Sequence, residues 1–214
     1  MRIALIGIFL LSVLFLVRPA YSNTENNVLV RIVYDQSESM LKNPAANWSK
    51  TGADFFRNYF NHYSLRCQIV TIDYVAWGTN AYPPIQRRLS SYQQSNDLAK
   101  MLYVMSGANL EGTNPRDAML HANNFVPDGY DRAIIIFVTD VDFVGEKHSG
   151  LGALVSKRTQ FFGISLGGNA SYEYMSRHLI PKHGQHFHAN TTKEFNKSMS
   201  GILDEIGYEH CMAS

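Results

Sequence analysis

Cysteine is scarce in this chain: 214 residues carry only Cys67 and Cys211. A small scaffold held together by many disulfides is therefore excluded. An excess of one charge is missing too. Lys+Arg 19 against Asp+Glu 18 leaves a formal net charge of +1, without the basic face that a nucleic-acid binder needs. There is no internal repeat, no low-complexity tract and no linker long enough to divide the chain. Past the first residues, no stretch is long and apolar enough to span a bilayer. What is present is 45% hydrophobic and 17% charged residues, enough for one real core and too apolar for a disordered tail. The length suits a single domain.

The opening has the parts of a secretory signal: Met1-Arg2, an apolar run from Ile3 to Val17, then Arg18-Pro19-Ala20-Tyr21-Ser22 with small residues at a cleavage spacing. Residues 1–22 are expected to be removed, with a short polar lead over 23–27 and one domain over 28–214. The apolar run is shorter than the roughly 20 residues of a spanning helix. The expectation is a secreted or periplasmic protein with no stable membrane insertion after cleavage, an uncleaved N-terminal anchor being the alternative. Loss of Arg2 and Arg18 leaves 17 basic against 18 acidic residues.

Strands and helices alternate along the rest. Val28–Tyr34 is short, β-branched and almost continuously apolar, the signature of a strand buried on both faces. Further strands are predicted over Gln68–Trp77, Ile85–Leu89, Ala133–Thr139, Thr159–Leu166 and His186–Ala189. Helical spacing covers Trp48–Tyr63, Ser95–Met105, the segment from Pro115 to about Phe125 behind an Asn114 cap, Ala170–Leu179 and Thr192–Tyr208. The fold class is α/β: a sandwich with a mostly parallel central sheet and helices on both faces. Such sheets bind ligands beyond the carboxyl ends of their strands, and two of these strands run into aspartate.

After the first strand comes Asp35-Gln36-Ser37-Glu38-Ser39. In an extended or gently turning loop Asp35, Ser37 and Ser39 share one side, with Gln36 and Glu38 turned away. A carboxylate and two hydroxyls suit a hard cation, although Asp and Ser are also ordinary turn residues. Gly112-Thr113 precedes a helix, and Asp140 follows the strongest strand. Three loops thus supply Asp35, Ser37, Ser39, Thr113 and Asp140 to one sheet edge.

On these residues, in "YDQSESM", "EGTNPRDAM" and "IIIFVTD", the chain resembles the von Willebrand factor A (vWA) domain family and its metal-ion-dependent adhesion site, MIDAS. The resemblance spans Val28 to Tyr208 and looks closest to a group of secreted bacterial domains of this type. It implies a Rossmann-like sandwich with one antiparallel edge strand and a Mg²⁺ or Mn²⁺ ion held mainly by hydroxyls and waters. It also implies a protein ligand whose acidic side chain completes the coordination. Two departures stand out. Glu38 sits where many members have Gly, and would either strain a positive φ or swing inward to fill the open position. Val141 sits where Gly is common, with Asp142, read as a solvated loop acid, next to it.

Rival constellations remain. Gly163-Ile164-Ser165-Leu166-Gly167 matches the G-x-S-x-G elbow of serine hydrolases, with Asp204 and His210 following in order. It comes late in the chain, which sets an enzyme at Ser165 behind the binding module; a vWA scaffold without metal is a further alternative. Asp140-Val141-Asp142 matches the D-x-D of metal-dependent glycosyl transfer, without a nucleotide site. His178, His183, His186 and His188 are dense, and His186 and His188 would share a strand face, conceivably holding a transition metal. Cys67 precedes the second strand and Cys211 follows the last helix. Both should lie at the pole opposite the metal, where pairing would stabilise the fold by roughly 3–5 kcal/mol.

Overall fold

β1 (Asn26–Asp35) lies between β2 (Gln68–Trp77) and β4 (Arg132–Thr139), parallel to both. In this computed structural model, which describes residues 26–46, 68–81, 85–89, 110–124, 129–142 and 150–211, these strands are the middle of a six-stranded sheet. The order is β3-β2-β1-β4-β5-β6. β3 (Ile85–Leu89) pairs antiparallel with β2 at one edge. β5 (Thr159–Leu166) and β6 (Gln185–Ala189) continue the parallel part to the other edge. Among the described residues the α-helices are α1 (Glu38–Lys42), α2 (Pro115–Asn124), α3 (Asn169–Tyr174) and α4 (Thr192–Cys211). A π turn over Met175–Leu179 extends α3.

The sheet is buried on both faces because its central strands are apolar on both faces. On one side Val30, Ile32, Ile72, Ile136, Phe162 and Ile164 pack under Phe195, Met199 and Ile202 of α4. On the other, Val33, Val75, Trp77, Ile135, Phe137 and Phe161 pack under Ala118, Met119 and Ala122 of α2 and under Tyr174, Met175 and Leu179. This is the α/β sandwich that the residue pattern predicts, with the antiparallel edge strand that the family resemblance implies.

One charged residue breaks the apolar run of β1. Arg31 is fully buried and stands in register with Asp73 of β2. Its Nε and Nη2 donate to Asp73 Oδ2 at 2.9 and 2.5 Å, and its Nη1 donates to the carbonyls of His121 and Ala122 at 3.1 and 2.9 Å. The guanidinium therefore answers a buried carboxylate and caps the carboxyl end of α2, where carbonyls lack helical partners.

β1 starts two residues ahead of the apolar pattern, at Asn26. The expected signal segment 1–22, the stretches Trp48–Tyr63 and Ser95–Met105 where helices are expected, and Cys67 lie outside the described residues, and no disulfide occurs among the described ones. The backbone does bring the start of β2 and the end of α4 to the pole opposite the strands' carboxyl ends. Among the described residues no helix is long and apolar enough to cross a membrane.

Candidate metal centre

The strand order reverses between β1 and β4: β2 lies beyond one, β5 beyond the other. At such a point the carboxyl ends of the two strands open a crevice. Asp35 closes β1 and Asp140 follows β4, so the topology alone brings the two carboxylates to one place.

Local hydrogen bonds then fix the donors. Asp35 is fully buried. Its Oδ1 accepts the Ser37 N–H at 2.9 Å, and its Oδ2 accepts the Thr139 hydroxyl at 2.6 Å. Thr139 Oγ1 in turn accepts the Val141 N–H at 3.1 Å. Ser39 Oγ donates to Asp140 Oδ1 at 2.8 Å. A serine has one proton to give, so the 3.0 Å contact between Ser37 Oγ and Ser39 Oγ has Ser37 as donor. Asp140 Oδ2 accepts from Asn43 Nδ2 at 3.2 Å. The hydroxyl protons are thus committed to the protein, and oxygen lone pairs are what the cluster has left to offer.

Ser37 and Ser39 meet for a reason other than strand-like alternation. Ser37 is the extended residue (φ −66°, ψ 164°) that caps α1, and the chain is already helical at Glu38. Gln36 is not turned out to solvent either. It is buried, with its N–H on the Trp77 carbonyl and its carbonyl accepting the Leu110 N–H. Glu38 has no positive φ and does not swing inward. It is exposed and pairs with Lys42 one helical turn on.

Thr113 arrives on a loop stitched to the end of β2. Thr79 donates both its N–H and its hydroxyl to the Glu111 carbonyl at 2.7 Å, and the Asn114 N–H bonds to the Gly78 carbonyl at 2.7 Å. Glu111 and Gly112 take φ of 45° and 57°, the left-handed turn that swings the loop back. Thr113 is half-buried, and among the described residues no hydrogen bond joins it to the other four. Asp142 is exposed, as a solvated loop acid should be.

The electrostatics follow from the burial. Among the described residues no ion pair involves Asp35 or Asp140. Burial pushes the Asp35 carboxyl up to about 7 against the pull of its Thr139 and Ser37 hydrogen bonds, with Asp140 adding repulsion. Burial also raises Asp140, opposed by Ser39 and Asn43 and assisted by Asp142. A buried and a half-buried acid among neutral hydroxyls fit a hard divalent cation well, because the ion would remove the very penalty that raises them. No cluster of three His, Cys, Asp or Glu exists among the described residues. This donor set would be mostly hydroxyl, the set suited to Mg²⁺ or Mn²⁺ rather than to a thiophilic ion.

Two residues of this cluster were not singled out in the sequence. Thr139 reads there as the last residue of a strand, and Asn43 as loop. Their signal was position: Thr139 immediately precedes Asp140, and Asn43 lies four residues past Ser39.

No protein-family model matches the sequence, and no curated protein sequence matches it. Solved structures do. The chain is similar to the PilB minor pilin from Streptococcus sanguinis, at 14% identity and TM-score 0.67 over 89% of this chain and 63% of that one. It is similar to the pilus adhesin SpaC from Lactobacillus rhamnosus GG in its open conformation, at 8% identity and TM-score 0.62 over 87% and 31%. It is similar to proximal thread matrix protein 1 from the mussel byssus with a zinc-occupied MIDAS motif, at 13% identity and TM-score 0.58 over 86% and 46%. The fold is vWA-like. This vWA-like chain spans less than two thirds of the length of each of these three proteins, and at such identities the likeness carries the fold.

The G-x-S-x-G segment does not form an elbow in this vWA-like fold. Ser165 lies within β5, paired with Thr139 and His188 on either side, and is fully buried. A nucleophile elbow needs its serine exposed at a strand-to-helix turn. The Ser165 hydroxyl is instead occupied by His186 and His188.

Proposed function

We propose that this protein is a metal-dependent protein-binding or adhesion module, exported to the periplasm or beyond the cell. Mg²⁺ or Mn²⁺ would be held by Ser37, Ser39 and Thr113, with Asp35 and Asp140 acting directly or through water. The observation that carries the reading is the pair of buried Asp35 and half-buried Asp140, joined through Ser37 and Ser39 and lacking a protein cation among the described residues. Hydroxyl ligands leave much of the 2+ charge uncompensated, and a hard ion with a water-filled position takes another oxygen readily. An acidic side chain of a protein ligand supplies that oxygen. The kinship in fold with pilus proteins supports an adhesive role.

The test is calorimetric titration of the folded chain with Mg²⁺ and Mn²⁺ beside Asp35→Asn. Binding by the native chain and its loss in the variant is the expected result. Absence of heat and of any thermal shift in the native chain would leave a scaffold that kept the fold without the ion. A pull-down from the native envelope with and without EDTA then identifies the ligand.

A further inference from the structure

We infer that His186 and His188 on β6, together with the hydroxyl of Ser165, form a second site, for a late first-row divalent ion such as Zn²⁺, Ni²⁺ or Cu²⁺, independent of the oxygen cluster at Asp35.

The two histidines are two residues apart on a strand, so they project from the same face. β6 is the outer strand of its edge, and the register places His186 beside Gly163 and His188 beside Ser165 of β5. Two imidazole nitrogens converge on one oxygen: His186 Nε2 lies 2.9 Å and His188 Nδ1 2.8 Å from Ser165 Oγ. The Phe187 carbonyl is a third, longer neighbour at 3.4 Å. Serine has a single proton for these three. At most one of the contacts is therefore a bond that Ser165 donates. The remaining demand falls on the tautomers of the rings.

Ser165 can donate to one ring nitrogen and accept an N–H from the other; an ion would replace those shared protons and take both nitrogens as lone-pair donors. Ligands in cis positions around an octahedral or tetragonal ion, each about 2.0–2.1 Å from it, stand about 2.9 Å from one another. The two nitrogen–oxygen distances already have that length. Imidazole nitrogen suits Zn²⁺, Ni²⁺ and Cu²⁺ and takes Mg²⁺ poorly, so saturating Mg²⁺ occupies the oxygen cluster and leaves the histidine pair open.

The surroundings of the two rings support the site. Tyr172 stacks on His186 with ring centroids 4.7 Å apart and meets His188 edge-on at 5.4 Å, which restrains both ring planes before any ion arrives. Both histidines are only half-buried and Tyr172 is exposed, so the edge of the sheet leaves a path from solvent. Thr139, Ser165 and His188 are in register on three adjacent strands. Ser165 thus lies one strand spacing, about 5 Å, from Thr139 at the edge of the oxygen cluster, and His188 two spacings, about 10 Å.

The experiment is a Zn²⁺ titration of the full chain in saturating Mg²⁺, with Cu²⁺ electron paramagnetic resonance as a second readout. One Zn²⁺ per chain and nitrogen hyperfine splitting from two imidazoles are expected. His186→Gln and His188→Gln should each weaken Zn²⁺ at least about tenfold, since even an outer partner of a metal ligand is worth about 10–100-fold. Asp35→Asn should leave it unchanged. Circular dichroism establishes that each variant is folded; if His188→Gln fails to fold, His186→Gln at the half-buried position decides. Absence of Zn²⁺ binding by the native chain overturns the inference, as does unchanged affinity in a folded histidine variant. Zn²⁺ binding abolished by Asp35→Asn alone would place the ion in the oxygen cluster and overturn it equally.

Discussion

Two fully buried aspartates on neighbouring strands meet their charge in opposite ways. Asp73, in the middle of β2, has the Arg31 guanidinium within 2.5 Å, and Arg31 itself is anchored on the carbonyls that end α2. Asp35, at the carboxyl end of β1, has a serine N–H, a threonine hydroxyl and no described cation. The first is a closed arrangement: its charges cancel inside the fold and nothing further can enter. The second is open, since neutral donors orient the carboxylate without neutralising it, and a charge of opposite sign has to come from outside. Depth in the sheet is the difference between a structural ion pair and a candidate binding site.

The closed pair gives the largest expected effect. Arg31→Met strands the Asp73 charge and leaves the His121 and Ala122 carbonyls without their donor. Unfolding by urea should show a loss of about 3–5 kcal/mol. Arg31→Met combined with Asp73→Leu should recover most of it, because an apolar replacement of both partners removes the stranded charge. Equal losses in the single and double variants would show that the pair matters through packing alone.

The open aspartate should behave inversely. Without a divalent ion, Asp35→Asn removes a buried charge that lacks a cation, so the melting temperature should move little. With the ion at about 100 times its dissociation constant, the native chain should gain about 2.7 kcal/mol by mass action, and the variant should gain almost none. A variant that collapses in EDTA would mean that Asp35 is structural in the way Asp73 is, and the contrast would fail.

How much of this contrast could be read from the residues alone is uneven. The strands β1 and β4 were legible because a segment apolar on both faces has one common home, the middle of a covered parallel sheet. Asp35 and Asp140 were legible because strand ends are where such sheets place ligands. The pairing of Arg31 with Asp73 was not, since it depends on register between strands that are 42 residues apart in sequence. The local course after Asp35 also differs. The residues suggest an extended or gently turning loop, whereas Ser37 takes the N-cap position of a helix that starts at Glu38. The serines still meet, because a capping turn brings Ser37 Oγ and Ser39 Oγ to 3.0 Å.

Asn43 sharpens the comparison at an intermediate scale. Asp140 has one oxygen on Ser39 and the other on the Asn43 amide, which is itself held by the Ala45 N–H on its Oδ1. Asn43→Ala should free the Asp140 carboxylate to rotate and should weaken Mg²⁺ about tenfold or more, the usual cost of losing an outer partner. Calorimetry reads the affinity. A change below about twofold would show that Ser39 orients Asp140 unaided.

The smallest effect belongs to Glu38, and its smallness is the informative part. A third carboxylate lies in sequence between the two serines, and if it entered the cluster it would close the open position much as Arg31 closes on Asp73. The structure turns it away: Glu38 is exposed, and its partner is Lys42 on the same helix face. Pairs of this kind at four-residue spacing on a surface helix are weak and screened by salt. Glu38→Gln should therefore change Mg²⁺ affinity by less than about twofold, and raised salt should not alter that, because the screened interaction lies outside the cluster. A tenfold weakening would make Glu38 a ligand of the ion, and a marked tightening of an acidic peptide's binding would make it an internal competitor for the same coordination position. Either result would turn the open aspartate into a second closed one, and the cluster would then need a displacement step before any partner could bind.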